Sequence, residues 1–259
     1  MDLGIVGKKA LVCGASAGLG LACARALVQE GVEVVMAART PEPLQHAADT
    51  LRALGPGAVH SVAADVTTEE GRGRIFAAHP QFDIMVTNAG GPPPGDFRQW
   101  SRDDWVRALD ANMLAPIALI RAVVDGMMER GFGRIINITS SAVKSPVDGL
   151  GLSNGARSGL TGFVAGLARS TVAHGVTINN LLPGTFDTAR LAGNFAAQAR
   201  REGLAPDVVR ANRLAKHPAR RFGDPDELGR TCAFLCSVHA GYINGQSVLL
   251  DGGSFPGVF

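Results

Sequence analysis

The chain predicts an α/β fold, a doubly wound parallel sheet of seven strands with helices on both faces, and three observations carry that expectation. Short apolar runs alternate with longer amphipathic ones from one end of the chain to the other. The strand-like runs are rich in Val, Ile and Leu without polar alternation, the pattern of strands covered on both faces. At 259 residues and 46% hydrophobic composition the chain can bury a full core. No Pro/Ser-rich linker divides it, so residues 1–259 read as a single domain.

The elements follow in order. "KALVCG" (Lys9 to Gly14) reads as the first strand and "AGLGLACARALVQEG" as the glycine-punctuated helix after it. "VEVVMAA" from Val32 is the second strand, followed by a helix over "PEPLQHAADTLRAL". "VHSVAAD" is the third strand and "FDIMVTNAG" the fourth, with "GGPPPG" (Gly90 to Gly95) as a stiff turn behind it. The long helix "RDDWVRALDANMLAPIALIRAVVDGMMERG" leads to the fifth strand, "RIINITS". "GVTINNLLPG" and "GQSVLLDGG" supply the sixth and seventh. Such repeated strand–helix units put a ligand site at the carboxyl ends of the strands.

One segment breaks the rhythm. Residues Phe186 to Phe222 form an insertion at the mouth of the sheet, expected to be a substrate lid. It carries Arg190, Arg200, Arg201, Arg210, Arg213, Lys216, Arg220 and Arg221 against Asp187, Glu202 and Asp207, eight bases against three acids, a local charge of +5. A carboxylate, a phosphopantetheine or an acidic carrier protein would suit it, so an anionic or carrier-bound substrate is expected.

Composition narrows the function. A net charge of +2 and 5% aromatic residues exclude neither fold nor catalysis, but give no support for nucleic-acid or anionic-membrane binding. Cys13, Cys23, Cys232 and Cys236 lie in apolar runs and read as buried, reduced thiols with no histidine completing a metal set. No basic-then-apolar leader and no apolar run long enough to span a bilayer is read, so a cytoplasmic protein is expected.

"CGASAGLG" puts Gly14, Gly18 and Gly20 in the turn between the first strand and its helix, with Ser16, Ala17 and Leu19 between them. Glycines suit a backbone that must turn tightly and approach a pyrophosphate, which the helix amino terminus then binds.

The G-x-x-x-G-x-G spacing resembles the short-chain dehydrogenase/reductase family, and the resemblance runs through nearly the whole chain. Asn88, Ala89 and Gly90 resemble the family's Asn-Ala-Gly element after the fourth strand. Asp65-Val66 resembles the pair that holds the adenine, and Asn112 the asparagine whose helix distortion organises a proton-relay water. Ser140 matches the catalytic serine. "NNLLPGTFDT" implies that Pro183, Gly184 and Thr188 border the nicotinamide. "GDPDELG" and "GYINGQSVLLDGG" resemble the closing segments, and the small-residue face "GARSGLTGFVAGLA" suits the family's helix-mediated homotetramer. The resemblance is to the 3-oxoacyl-carrier-protein reductase-like branch. It implies a Rossmann-type fold and an oxidoreductase interconverting a small-molecule carbonyl and an alcohol.

The second strand ends in Ala38-Arg39, with no acid to hold a ribose 2′-hydroxyl. A guanidinium suits a 2′-phosphate, so NADP(H) is expected over NAD(H), with Ser16 and Thr40 as helpers.

The departure lies in the acid/base set. The family places a tyrosine thirteen residues after its serine and a lysine four beyond; counting from Ser140 gives Ser153 and Arg157, the latter also expected to bind the cofactor by a hydrogen bond to the nicotinamide ribose. The only tyrosine is Tyr242, in the "GYINGQ" closing motif. An aliphatic hydroxyl is a far weaker acid than a phenol, whose pKa starts near about 10. Three routes stay open. Ser140 and Ser153 position a proton-donating water while Arg157 stabilises the alkoxide; Lys144, or less readily Asp148, donates instead; or hydride transfer is abandoned and the fold is a cofactor- or ligand-binding module. A working but atypical reductase is the preferred reading. His217 and His174 match no catalytic position, and His174 reads as closing a helix before Gly175.

Overall fold

The computed structural model describes residues 1–258. It contains β1 (Lys9–Cys13), β2 (Glu33–Ala38), β3 (Val59–Ala63), β4 (Ile84–Thr87), β5 (Gly133–Ile138), β6 (Val176–Pro183) and β7 (Ser247–Leu250). They form one sheet in the order β3-β2-β1-β4-β5-β6-β7, every pair parallel. The strand order reverses between β1 and β4, the point at which sheets of this kind bind ligands. The helices are α1 (Gly18–Gln29), α2 (Pro41–Arg52), α3 (Glu69–Ala78), α4 (Arg102–Leu109), α5 (Ala115–Glu129), α6 (Gly151–Thr171), α7 (Ala189–Glu202), α8 (Pro206–Lys216) and α9 (Pro225–Cys236).

Side chains alternate across a strand, and here both sides are apolar. Ala10, Val12, Val34, Met36, Ile84 and Ile136 pack with residues of α1, α2 and α9 on one face. Leu11, Cys13, Val35, Met85, Ile135 and Ile178 pack with residues of α5 and α6 on the other. This explains why the strand runs show no polar alternation. A large-to-small change in either layer, such as Leu11→Ala, is expected to cost about 2–5 kcal/mol.

One expectation needs correction. The continuous helical stretch Arg102–Glu129 is long and apolar enough, by composition, to cross a membrane. Its apolar side instead belongs to the core, where Leu119, Ile120, Val123, Val124 and Met127 are buried against the sheet. The stretch is also not one regular helix. A π-turn over Asp110–Leu114 separates α4 from α5 and contains Asn112.

A polar row crosses the apolar sheet. Thr87 Oγ1 donates to Asn137 Oδ1 (2.7 Å), Asn137 Nδ2 to Asn180 Oδ1 (3.3 Å), and Asn180 Nδ2 to Ser247 Oγ (3.4 Å). These four residues are register partners on β4, β5, β6 and β7.

The insertion after β6 is a helix pair with its own small core of Phe195, Ala199, Val209 and Phe222. It leaves and rejoins the body at one point, because Asp187 N donates to Gly223 O (2.9 Å) and Gly223 N to Thr185 O (3.0 Å). Its charge is partly neutralised. Arg210 pairs with Asp187 (2.7 Å), and Arg221 pairs with Glu227 of α9 (2.6 Å), an acid beyond the segment.

Candidate active site

The turn between β1 and α1 is shaped by what is missing from it. Gly14 and Gly18 adopt φ of +60° and +58°, where side chains are strained. A Cβ on Gly20 would lie 2.2 Å from the Gly14 carbonyl oxygen and 2.8 Å from Asn88 Nδ2. That space lets Asn88 Nδ2 donate to Gly14 O at 3.4 Å, tying the segment after β4 to the turn. The α1 helix starts after Ala17, with no side-chain cap and no acid in its first turn. Its first N–H groups and positive dipole end therefore face the turn uncompensated, an arrangement suited to phosphate. Thr188 lies across the same cleft, its methyl 3.8 Å from where a Gly18 Cβ would be, and its hydroxyl accepts from Leu191 N to start α7. Ser16 and Leu19 are half-buried, Leu19 packing against the core.

Arg39 and Thr40 are exposed at the end of β2. Asp65, just past β3, accepts from Thr67 N (3.0 Å) and Thr67 Oγ1 (2.8 Å). Partial burial raises the Asp65 carboxyl, but those two bonds and the Arg39 charge outweigh it and hold the group below the usual range. Val66 is half-buried beside it, its carbonyl accepting from Arg72 (2.8 Å).

At the other end of the cleft, Ser140 follows β5, and its hydroxyl accepts from Ala142 N (3.1 Å). Ser153 and Arg157 lie one turn apart on α6, each only 7% exposed. The Arg157 guanidinium donates through Nη1 to the carbonyls of Ile138 (3.0 Å) and Thr139 (2.9 Å), through Nη2 to Ala89 (3.3 Å), and through Nε to Ser153 Oγ (3.2 Å). It thus joins the segments leaving β4 and β5 without any carboxylate. Burial and the charge of Arg190 push it down to about 10. Arg190, in the first turn of α7, donates to Gly91 O (3.0 Å). Asn112 is 3% exposed; its Nδ2 donates to Ala108 O (3.2 Å), and its buried Oδ1 has no partner among the described residues.

Gly14, Gly18, Gly20, Asn88 and Thr188 are thus brought together, and so are Ala89, Ser153 and Arg157, next to Ser140. Pro183 ends β6 and Gly184 follows it, so close to β7 that a Cβ would lie 2.7 Å from the Asp251 Cβ. Gly90 has open space around it. Lys144 stands apart from the Ser140–Ser153–Arg157 group in its contacts: its ammonium lies 6.0 Å from the Phe255 ring centroid. Asp148 is exposed and accepts from Gly149 N (2.9 Å). Tyr242 is fully exposed on the amino-terminal approach to β7, the end of the sheet opposite the cleft. His217 is buried with Nε2 3.2 Å from Ser254 Oγ, and His174 ends a short 3-10 turn before Gly175 at φ +75°. Sequence reasoning counted Arg190 only as part of the lid charge. Its place two residues beyond Thr188 was the available signal.

A parallel sheet reversing order at a glycine turn, with buried polar groups at the ends of β4 and β5, defines a protein of the dinucleotide-binding fold. A family model described as enoyl-(acyl carrier protein) reductase matches residues 14–254. The chain is 32% identical over 255 residues to rabbit (Oryctolagus cuniculus) dehydrogenase/reductase SDR family member 4, covering 96% of this chain and 94% of that one. It is 33% identical over 251 residues to the 3-oxoacyl-acyl-carrier-protein reductase FabG of Salmonella typhimurium, covering 96% and 98%. The structure of L-sorbose reductase from Gluconobacter frateurii, complexed with NADPH and L-sorbose, superposes with a TM-score of 0.94 at 30% identity and full coverage of both chains. The chain belongs to the short-chain dehydrogenase/reductase family.

Proposed function

We propose that this chain is an NADP(H)-dependent reductase that interconverts a carbonyl and an alcohol, with Ser140, Ser153 and Arg157 in place of the family's Ser-Tyr-Lys set. The residues fit the dinucleotide: the glycine turn leaves room for a pyrophosphate, and the α1 amino terminus is free of acids and side-chain caps. In this reading Gly14, Ser16, Ala17, Gly18, Leu19 and Gly20 cradle the phosphates, with Asn88, Ala89 and Gly90 behind them. Asp65 and Val66 hold the adenine, Arg39 takes the 2′-phosphate, and Pro183, Gly184 and Thr188 border the nicotinamide. The NADPH-bound L-sorbose reductase supports the choice of cofactor.

NADPH, when bound, supplies the hydride. The observation that carries the rest is the 3.2 Å bond from Arg157 Nε to Ser153 Oγ. Because Ser153 accepts from a cation, its own hydroxyl hydrogen is committed to another acceptor, and the polarised O–H is a better donor to a carbonyl oxygen. The fixed Arg157 charge then stabilises the alkoxide that develops there. Arg157 itself is a poor proton shuttle, so a water held by Ser140, Ser153 and Asn112 Oδ1, which has no partner among the described residues, gives its proton to the alkoxide oxygen, and the hydroxide left behind is reprotonated from bulk solvent. Lys144 is the reserve donor, and an unchanged rate in Lys144→Ala removes it from the mechanism. The 186–222 helix pair serves as the substrate lid, and four buried reduced cysteines suit a reducing, cytoplasmic setting. A homotetramer is proposed, and a monomeric mass in solution scattering overturns it.

The decisive experiment is a fluorescence titration with NADPH and NADH, followed by turnover on a carbonyl panel. Tighter NADPH binding with turnover that falls in Ser153→Ala is the expected result. Cofactor binding with no turnover on any carbonyl reassigns the chain as a cofactor- or ligand-binding module.

A further inference from the structure

We propose that Arg157 and Arg190 form a two-guanidinium clamp for a carboxylate on the carbonyl substrate, so that the enzyme takes oxo acids in preference to neutral ketones. The inference rests on the reductase reading and names its substrate class.

The argument begins with donors and acceptors. A guanidinium has five N–H groups. Arg157 uses four, on Ile138 O, Thr139 O, Ala89 O and Ser153 Oγ, and the remaining one is on Nη2. Arg190 makes one side-chain hydrogen bond, from Nη2 to Gly91 O. The two guanidinium groups meet at Gly91: a Cβ there would lie 3.0 Å from Arg190 Nη2 and 3.5 Å from Arg157 Nη2. Every acceptor named for either group is a backbone carbonyl or a serine hydroxyl, and neither takes part in an ion pair among the described residues.

Two permanent charges converging beside a buried site repel each other, and Arg190 contributes to holding Arg157 down. A carboxylate between them removes that repulsion and accepts from the unused N–H groups in the fork geometry that arginine favours. Arg210 and Arg221 of the lid are matched by Asp187 and Glu227, whereas Arg190 converges on a second, buried guanidinium at Gly91 with no acid beside either among the described residues. The clamp is also asymmetric. Arg157 is fixed and buried on α6, while Arg190 is exposed on the first turn of the lid, so an anion at Gly91 would tie the lid to the body. In the reductase reading the cofactor phosphates have a separate cradle, the turn from Gly14 to Gly20. Gly91 lies instead beyond Ala89, on the same side as Ser153.

The test is calorimetric binding of 3-oxobutanoate and pyruvate, each beside its methyl ester, to the NADP⁺-loaded protein and to its Arg190→Gln variant. The acid is expected to bind roughly tenfold or more tightly than the ester, the worth of a charge-assisted hydrogen bond. Arg190→Gln should abolish that preference and leave NADP⁺ affinity within about twofold. Equal binding of acid and ester overturns the proposal, as does a preference that survives Arg190→Gln. A tenfold loss of NADP⁺ affinity in the variant assigns Arg190 to the cofactor phosphates and also overturns it. If the unmodified chain binds no NADP⁺, the reductase reading fails separately, and the same acid/ester comparison without cofactor still decides the clamp.

Discussion

The two ends of the cleft make room for chemistry in opposite ways. At the glycine turn, space comes from side chains that are absent: Gly14 and Gly18 at positive φ, and Gly20 where a methyl would strike the Gly14 carbonyl. At the α6 end, one long cation fills the space and gathers the carbonyls of Ala89, Ile138 and Thr139 around itself. The first end offers backbone N–H groups, which any chain with the right turn can present. The second depends on a single side chain and the charge it brings. The difference teaches that one end is shaped by backbone and the other by a single side chain, so substitutions should act on them separately.

That contrast can be broken by experiment, most severely at the turn. Gly20→Ala should abolish dinucleotide binding and destabilise the fold by about 1–3 kcal/mol, since backbone must move to admit the methyl. NADPH fluorescence and urea unfolding measure both, and normal binding would refute the account of the turn. Next in size is Arg157→Met. Loss of the guanidinium leaves three carbonyls short of a donor, costing about 1–3 kcal/mol. In the proposed mechanism it also lowers kcat by about 100–1000-fold. If cofactor affinity fell as far as kcat, the two ends would not be separable.

Arg39→Ala sharpens the comparison within the cofactor end. NADPH affinity should fall about 10- to 100-fold and NADH affinity should not change, as read by parallel titrations. The smallest effect is expected remote from both ends, at Glu227. Its hydrogen bonds with Arg221 and then with the Asp224 backbone hold it at about 2, against an ordinary 4.5. Being lowered in the folded state, it stabilises the protein above about 4.5, and that contribution is lost as the pH falls through about 2. Glu227→Gln should therefore flatten the acid limb of stability between these values, measured by urea unfolding at stepped pH. The effect will be modest, because the pair is exposed and screened.

The seven strands, the glycine turn and the Ser140–Ser153–Arg157 spacing were legible in the sequence because each is local or has a fixed count. What Arg157 touches was not legible. Its acceptors lie 18, 19 and 68 residues away, and backbone carbonyls carry no signature of residue type. The Arg190 contact spans 99 residues, so it read only as part of a charge total. The same total of +5 concealed that Glu227, outside the segment, pairs with Arg221. No bilayer span is read in the stretch through α4 and α5, although by length and composition it passes as one; its packing against the sheet, which the sequence does not display, is what makes it a core helix.

The row from Thr87 through Asn137 and Asn180 to Ser247 has a mechanical consequence. Parallel strands held only by backbone bonds and apolar packing could slide by a pleat with the same kinds of contacts reforming. Here a slip of one residue would turn an amide towards the wrong face and strand its partners in an apolar layer. The row acts as a dowel driven through four planks, keeping their ends level. Arg157 spans two of those ends, so the dowel fixes the gauge across which the guanidinium is stretched. The helix pair after β6, by contrast, is fastened where Thr185, Asp187 and Gly223 bond through their backbones, outside the row's reach.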